Sequence, residues 1–346
     1  MSRSRVLACL SCAALVAAAL AGCSGGSTPS TKPSTSTTSS SPPVSSTRVA
    51  ALTRLNGAWP LTGEKVTGSL PNRPVYVVKV DNTANSVPQV GLKGADMVVE
   101  ELVEGGLTRL AAFYYSHTPK LVGPVRSMRA SDVGVVKPAR AYLAASGAAP
   151  KTVRVIASAG IRTFTEGAPG FFRSIHRPAP YNLMLDLARL ARHPAKGWHP
   201  PRAPYLPFGT SQAFHGQLKV HSMAVAFSGA HTTMWALRRG HWVRTDSYAQ
   251  KRDDFRVNNV LILRVREGNA GYLDPAGNPV PETLFWGKGS GLLVHGGHAL
   301  RLTWHKRGKA SPVRLTGPAG GKVTVPPGHT FIELVPRTGA HVSLRR

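Results

Sequence analysis

The hydrophobic and polar positions in the first half of the chain body predict a domain that mixes strands and helices. Runs of β-branched and alternating residues indicate strands at Val75–Val80, Asp96–Glu104 and Leu107–Ser116. The first run ends at the polar pair Asp81-Asn82, which is typical of a turn. Leucines at helical spacing predict a helix over Tyr181–Arg192. We place this mixed α/β domain at residues 51–195.

A glycine pair between the second and third runs, Gly105-Gly106, predicts a hairpin with a two-residue turn. Glycine favours such turns because it accepts their positive φ without strain. Side chains alternate across a strand, so the resulting register places Glu100, Glu104 and Arg109 on one face. Glu101 is expected on the other face, among apolar side chains.

The pattern of residues 208–336 predicts a β-rich domain. Short strand patterns recur at Val257–Val265, Gly291–His295, His298–Trp304, Val313–Leu315, Lys322–Val325 and Thr330–Val335. They are expected to form a sheet or partial barrel that ends in a meander. The proline-rich stretch 196–207 is predicted to be a linker, because prolines interrupt helices and central strands. Residues 337–346 are predicted to be a basic tail. With a mixed first domain and a β-rich second domain, the chain is expected to have an α+β fold.

The N-terminus has the pattern of an exported lipoprotein. Arg3 and Arg5 precede an apolar run that ends in Leu20-Ala21-Gly22-Cys23. A basic start, an apolar stretch and small residues before a Cys indicate a signal peptide over residues 1–22, with Cys23 as the lipidated first residue of the mature chain. The apolar run is shorter than the roughly 20 residues of a spanning helix, although an uncleaved anchor is the alternative. We therefore expect a lipid-anchored protein on the outer face of the bacterial cytoplasmic membrane.

The segment that follows the signal peptide, residues 23–50, is predicted to be a disordered tether. After Cys23 it consists largely of Ser, Thr, Pro and Gly, and it has too little apolar surface to offset the entropy of ordering. Cys9 and Cys12 lie in the predicted signal peptide, so Cys23 is the one thiol of the mature chain. The sequence therefore excludes a disulfide within the mature chain and thiol catalysis.

The composition is strongly basic, with a formal net charge of +27. One interpretation is a codon usage that favours Arg. The other is that an exported basic protein lies against anionic lipid headgroups or wall polymers. No nucleic-acid-binding motif is present, so nucleic acid is not an expected partner. Six of the sixteen acidic residues fall between Asp81 and Asp132, which makes this region the first candidate for a functional site.

The candidate ligand-binding site combines acidic and basic residues of this region with two later arginines. Its members are Glu100, Glu101, Glu104, Arg109, Arg126, Arg129, Asp132, Arg173 and Arg177. Arg126 and Arg129 follow a Gly-Pro turn, and two forked guanidiniums could hold a phosphate, pyrophosphate or carboxylate. The carboxylates could bind a divalent metal or act as a base. The alternative interpretation is a buried ion-pair network that fixes the hairpin.

No sequence motif indicates a cofactor or a catalytic centre, and we assign no catalytic residue. His295 and His298 flank a Gly-Gly turn and are expected to face each other, but no third ligand is spaced to complete a metal site. The stretch Gly287–Gly291 matches neither a phosphate-binding loop nor a nucleophile elbow, and it is predicted to be a turn before a strand. No cofactor is therefore expected.

Several stretches together resemble one bacterial family. The most specific are Glu104–Arg109 and Gly123–Arg129, and further matches are Arg177–Pro180, Asn258–Val260 and Pro327–Leu334. These stretches are similar to those of the YerB family of lipoproteins, which carries the DUF3048 domain and its C-terminal module. The resemblance covers residues 60–336 and implies the family's fold and location rather than a particular reaction.

The chain departs from that family pattern in two places. Residues Ala145–Pro150 stand where similar proteins often have a His-Gly-Gly-Ser-Pro-like stretch. Tyr181 stands where they often have a His within an Ala-Pro-His-Asn stretch. Any activity that needed those histidines is in doubt for this chain.

Two hypotheses of different classes follow. The leading one is a non-enzymatic, membrane-tethered binding or scaffold lipoprotein for an anionic wall polymer or an envelope partner protein. The alternative is a wall-active enzyme, such as a phosphotransferase on lipid-linked pyrophosphate substrates, because such enzymes also place Arg clusters beside carboxylates.

Overall fold

A computed structural model of the chain describes Leu55 and residues 57–194, 196–211 and 214–346. The predicted signal peptide, Cys23 and nearly all of the predicted tether lie outside the described residues. The described part belongs to one compact unit, Ala50–Arg346.

The described residues of the first half of this unit form seven strands and three short helices. The strands are β1 (Tyr76–Asp81), β2 (Met97–Leu102), β3 (Thr108–Tyr114), β4 (Tyr142–Ala144), β5 (Thr163–Phe164), β6 (Phe171–Arg173) and β7 (Leu183–Leu185). The α-helices are α1 (Asp132–Val136), α2 (Pro150–Ser158) and α3 (Leu187–Ala191). Single 3-10 turns occur at Ala84–Ser86, Leu92–Gly94, Glu104–Gly106 and Lys137–Ala139.

The second half is built from strands. These are β8 (Leu218–Lys219), β9 (Ser222–Ala226), β10 (Thr232–Arg238), β11 (His241–Arg244), β12 (Asn259–Leu273), β13 (Pro279–Leu284), β14 (Gly287–His295), β15 (His298–Lys306), β16 (Arg314–Thr316), β17 (Lys322–Val323), β18 (Thr330–Pro336) and β19 (His341–Arg345). The α+β prediction is therefore confirmed only in part, because the molecule as a whole is β-rich with few short helices.

One large sheet runs through both halves of the chain. Its strand order is β17-β16-β15-β14-β12-β18-β2-β3-β1-β4-β5, with β13 paired to β12 and β8 paired to β15. The strand β18 pairs in parallel with β12 on one side and with β2 on the other. Residues 51–195 and 208–336 thus share one sheet across the stretch 196–207, and β18 does not belong to the predicted meander.

Both faces of this sheet are covered. On the first face, α1 and α2 pack over an apolar layer that includes Val77, Val99 and Ile332. On the second face, a smaller sheet of order β11-β10-β9-β19 packs over a layer that includes Val98 and Phe331. The central strands β1, β2 and β3 are buried along their whole lengths, so their charged residues are buried as well.

The hairpin of β2 and β3 has a register one residue away from the predicted one. Glu101 pairs with Arg109 and Glu100 pairs with Leu110, because the connection is the three-residue turn Glu104–Gly106. A shift of one residue moves every side chain to the other face. The prediction that Glu100 and Arg109 share a face is therefore wrong: Glu100 lies on the second face and Arg109 on the first.

Three further predictions are corrected by local structure. The helix predicted over Tyr181–Arg192 is restricted to α3, because Asp186 accepts a hydrogen bond from the Arg189 backbone N–H (2.8 Å) and caps the helix there. Residues Gly287–Gly291 form the start of β14 rather than a turn. There a Cβ on Gly289 would lie 2.3 Å from the Arg264 carbonyl oxygen, so glycine lets the two backbones approach. The predicted tail contains β19, which pairs with β9.

Candidate functional site

The nine predicted site residues are divided among three networks and two separate arginines. Because both faces of the sheet are covered, the neighbours Glu100 and Glu101 point into different buried networks, one on each face. Successive side chains of β1, β2 and β3 alternate between the two faces, so the position of a residue along its strand decides which network it joins.

The Lys79 network consists of Lys79, Glu101 and Asp132 on the first face. The Lys79 Nζ lies 2.6 Å from Glu101 Oε1 and 2.8 Å from Asp132 Oδ1, and all three side chains are fully buried. Burial raises the pKa of Glu101 to about 7 against the opposing charge of Lys79. For Lys79, burial lowers the pKa, but the charges of Asp132 and Glu101 outweigh it and the pKa is raised. This network is closed to solvent and links β1, β2 and α1.

The Arg129 network consists of Asp81, Glu104, Arg109, Arg126 and Arg129, also on the first face. Glu104 accepts a hydrogen bond from Arg109 Nη2 at 2.7 Å and from Arg129 Nε at 2.8 Å. The Arg126 Nε lies 3.1 Å from Asp81 Oδ2. Three guanidiniums therefore share two carboxylates, which leaves one positive charge in excess.

The pKa shifts in the Arg129 network follow from this crowding. Burial would raise the pKa of Glu104, but the hydrogen bond from Arg129 and the charges of Arg109 and Arg129 lower it to about 2. Burial and the charge of Arg129 lower the pKa of Arg109 to about 10. Glu104 is thus a permanent anion that holds two arginines in place.

A cleft of about 470 Å³ reaches this network from solvent. It is bounded by Ser127 and Arg129, by the loop Ser146–Ala149 and by the turn after β12. The Ser127 and Ser146 hydroxyl oxygens are 3.2 Å apart. Of the network's arginines, Arg129 is the one that lines the cleft.

Arg126 lies apart from that cleft and has its own contacts. Its guanidinium carbon lies 4.9 Å from the centre of the Tyr181 ring, and its Nη1 donates to the Pro180 carbonyl at 3.1 Å. The two departures from the family pattern, at Ala145–Pro150 and at Tyr181, therefore lie beside Arg129 and Arg126 respectively. The two arginines are engaged by different carboxylates and do not point into one opening.

The other two predicted arginines are not joined to these networks. Arg173 forms an exposed pair with Glu166, with Nε 2.6 Å from Oε1. Arg177 donates to the backbone carbonyls of Ser86 (3.2 Å) and Pro88. Arg177 therefore anchors a loop, and Arg173 lies at the surface.

The His231 network on the second face was missed by the sequence analysis except for Glu100. The Oε1 atom of Glu100 lies 2.8 Å from His231 Nε2 and accepts from Thr108 Oγ1 at 2.7 Å and Asn82 Nδ2 at 3.0 Å. Thr233 Oγ1 donates to Glu100 Oε2 at 3.0 Å. His231 and Thr233 come from the second half of the chain, so this network connects the small sheet to β2.

Glu333 on β18 stands directly beside Glu100 on β2 and extends the His231 network. It accepts a hydrogen bond from the Trp235 indole N–H at 2.5 Å. Burial and the nearby charge of Glu100 raise the pKa of Glu333 well above its ordinary value. The protonated form of Glu333 is therefore favoured and the ionised form of Glu100 is favoured, and both side chains are fully buried.

Two of the missed residues do carry a sequence signal. Lys79 and Glu333 are single charges within apolar strand runs, and a charge in a strand buried on both faces needs a partner. His231 has no such signal, because it lies in a loop and meets Glu100 only through the fold.

The described residues contain no group of three or more His, Cys, Asp or Glu side chains placed to hold a metal ion. His295 and His298 do pair across the β14–β15 hairpin, which confirms that prediction, and His295 Nδ1 lies 2.8 Å from Asn259 Oδ1. Divalent metal binding stays a prediction. Within the described part, no helix is long and apolar enough to cross a membrane.

Comparison with known proteins assigns the chain to one family. Residues 61–198 match the model described as "Protein of unknown function (DUF3048) N-terminal domain", and residues 223–332 match its C-terminal counterpart. A protein of Bacillus subtilis (strain 168) named "Putative lipoprotein YerB" is 46% identical over 70 residues, which are 20% of this chain and 21% of that protein.

The fold has a solved counterpart. The crystal structure of the YerB protein from Bacillus subtilis superimposes with a TM-score of 0.68 at 23% sequence identity. The superposition covers 83% of this chain and 99% of that one. This likeness supports the arrangement of strands described above.

Proposed function

Because this chain belongs to the DUF3048 family, we propose that it is a lipid-anchored, extracytoplasmic lipoprotein that binds an anionic component of the cell envelope. The export signal with Cys23 supports the anchor and the outer location, as does the name of the similar Bacillus subtilis protein, a "Putative lipoprotein". Binding, rather than a reaction, accounts for the state of the candidate site. The predicted carboxylates are held in ion pairs and hydrogen bonds, where they neutralise internal cations.

The observation that carries the proposal is the way the fold separates charges. Six of the sixteen acidic residues are buried, namely Asp81, Asp96, Glu100, Glu101, Asp132 and Glu333. Of the 43 basic residues, the described part buries Lys79, Arg109, Arg129, Arg244 and Lys306. Burial therefore removes a much larger share of the carboxylates than of the cations, so few acidic residues are left to offset the basic exterior, and such an exterior attracts polyanions.

The cleft at Arg129 is a concave part of the predicted site that a ligand can reach. Arg129, which belongs to the network with the excess positive charge, lines the cleft together with Ser127 and Ser146, and Asp274 is the acidic residue of the lining. Hydroxyls beside a guanidinium are suitable donors for an anionic oxygen. The partner protein and the phosphotransferase alternative stay predictions.

The experiment is sedimentation of the full chain with purified bacterial cell walls, using Cys23→Ser to remove the lipid anchor. We expect the protein to bind intact walls and to bind walls stripped of anionic polymers at least about tenfold less. Raising the salt from about 0.05 M to 0.5 M should release it, because salt screens exposed charges. Equal binding to intact and stripped walls, or binding that salt does not weaken, would contradict the proposal.

A further inference from the structure

A second cavity lies outside the predicted site, and every charged residue that lines it is basic. It has a volume of about 360 Å³ and lies beside the β4–β5 edge of the large sheet. Its basic side chains are Lys137, Arg140, Arg162 and Lys196, and its aromatic ones are Tyr142 and Trp198. No carboxylate lines it. The cavity is therefore a concave cationic pocket, which we call the β4-edge pocket.

The four cations of the β4-edge pocket form no ion pair with any residue that the structure describes. Lys137 Nζ donates to the Ala159 carbonyl, and the Arg162 guanidinium carbon lies 5.9 Å from the centre of the Phe164 ring. The contrast with the Arg129 network is clear, because there each guanidinium has a carboxylate. Unpaired like charges that face one cavity repel each other, and a bound anion offsets that repulsion.

The backbone and the aromatic side chains fix the lining of the pocket, while the side chains of Arg140, Arg162 and Lys196 are exposed to solvent. Arg140 ends the 3-10 turn Lys137–Ala139 with a φ of 52°, a left-handed conformation that non-glycine residues seldom adopt. Tyr142 lies on β4 and is buried, and Trp198 packs against the apolar layer of the second face. The pocket therefore has a fixed aromatic wall and a basic rim.

We propose that the β4-edge pocket binds the phosphate groups of a small phosphorylated envelope ligand. Arg140 and Arg162 supply forked donors that match phosphate oxygens, and Lys137 and Lys196 add charge. The Trp198 and Tyr142 rings form a surface for the organic part of the ligand. This inference rests on the proposed function and gives it a second, more specific site.

The volume limits what enters the pocket. Pockets for small molecules have volumes of about 300–1,000 Å³, so this one holds a pyrophosphate with one sugar-sized group rather than a length of polymer. A polymer would be bound through one of its phosphate-bearing units or its end.

The test uses inorganic pyrophosphate as the probe and calorimetric titration of the full chain. The variant is Arg140→Asn with Arg162→Gln, since Asn tolerates the left-handed backbone at position 140. Loss of two charge-assisted donors should weaken pyrophosphate binding by about tenfold or more. The matched control is Arg314→Gln with Lys322→Gln, which removes two exposed charges from β16 and β17 and should change binding by less than about twofold.

The outcomes are distinct from those of the wall-binding experiment. No pyrophosphate binding by the native chain, or an equal loss in both double variants, overturns the pocket even when the protein still binds walls. If the Arg140 variant unfolds, Lys196→Gln alone must weaken binding by at least about threefold, and no change overturns the proposal. If phosphatidylglycerol vesicles compete with pyrophosphate for binding and phosphatidylcholine vesicles do not, the phosphate belongs to a lipid headgroup. If neither kind of vesicle competes, the phosphate belongs to a soluble ligand.

Discussion

At the scale of single residues, the pKa values of two neighbouring carboxyls are shifted in opposite directions because their partners differ. Burial would raise the pKa of Glu100, but the hydrogen bond and charge of His231, together with Arg244, lower it. Glu333 beside it accepts a hydrogen bond from the neutral Trp235 indole, and burial and the charge of Glu100 raise its pKa. Burial lowers the pKa of His231, but Glu100 outweighs this and raises it. The shifts of both groups therefore favour the ion-paired form of His231 and Glu100.

We expect the His231 pair to make folding stability depend on pH. A raised pKa means that its contribution is fully present below the ordinary value of 6.5 and is lost as the pH rises through the folded-state value. His231→Gln should therefore cost about 2 kcal/mol of unfolding free energy near pH 6 and progressively less above it. Urea unfolding of both proteins from pH 5 to about pH 9 measures this difference.

The control for this titration is His241→Gln, since His241 is exposed on β11. That variant should change the unfolding free energy by less than about 0.5 kcal/mol, as surface substitutions usually do. A difference between native protein and His231→Gln that stays constant with pH would show that the imidazole does not titrate in this window.

At the scale of elements, the β2–β3 hairpin decides which residues of the candidate site meet. Its turn places Gly105 at φ 68° and Gly106 at φ 71°, so both residues are in the left-handed region. The Gly106 carbonyl also accepts a hydrogen bond from Ser228 Oγ at 2.6 Å, which ties the turn to the loop before β10. The turn is therefore fixed by its glycines and by a contact with the other half of the chain.

Alanine substitutions at the two glycines should have unequal effects. Gly105→Ala should cost about 1 kcal/mol, from backbone strain alone, since the nearest atom to a Cβ there, Leu107 Cγ, lies 4.0 Å away and does not clash. Gly106→Ala should cost about 2 kcal/mol, because its Cβ would also lie 2.8 Å from Ser228 Oγ. Equilibrium unfolding of the two variants tests this order, and equal costs would contradict the contact with Ser228.

At the scale of the whole molecule, β18 joins the two halves of the chain. It lies between β12 and β2, and its Ile332 is fully buried in the first-face layer. The two family models match residues on either side of the stretch 196–207, yet the strands that they cover form one sheet. The halves should therefore unfold together.

Ile332→Ala should lower the stability of both halves. The cavity that it leaves should cost about 3 kcal/mol, and the loss should appear equally in hydrogen exchange of β1 and of β14. The control is Leu273→Ala, at a position that is 62% exposed, and it should change neither the stability nor the hydrogen exchange of β1 and β14. Loss of protection confined to the second half would show that the halves unfold independently.

Much of the secondary structure could be predicted from the sequence, but the candidate site could not. Strand patterns at Val75–Val80 and Thr330–Val335 correspond to β1 and β18, because alternation and β-branched residues are local properties. The hairpin register was wrong by one residue because the sequence does not distinguish a two-residue from a three-residue glycine turn. This one-residue difference in register places Glu101, rather than Glu100, on the same face as Arg109.

The sequence by itself determined the basic composition and the family, and it predicts an export signal with Cys23 as the anchor. These depend on residue types and on short-range order along the chain. The tertiary structure decided that His231 meets Glu100, that Glu333 stands beside it, and that four unpaired cations face one pocket. Those contacts join residues far apart in the chain, and strand pairing between distant segments is set by the packing of the whole sheet rather than by local pattern.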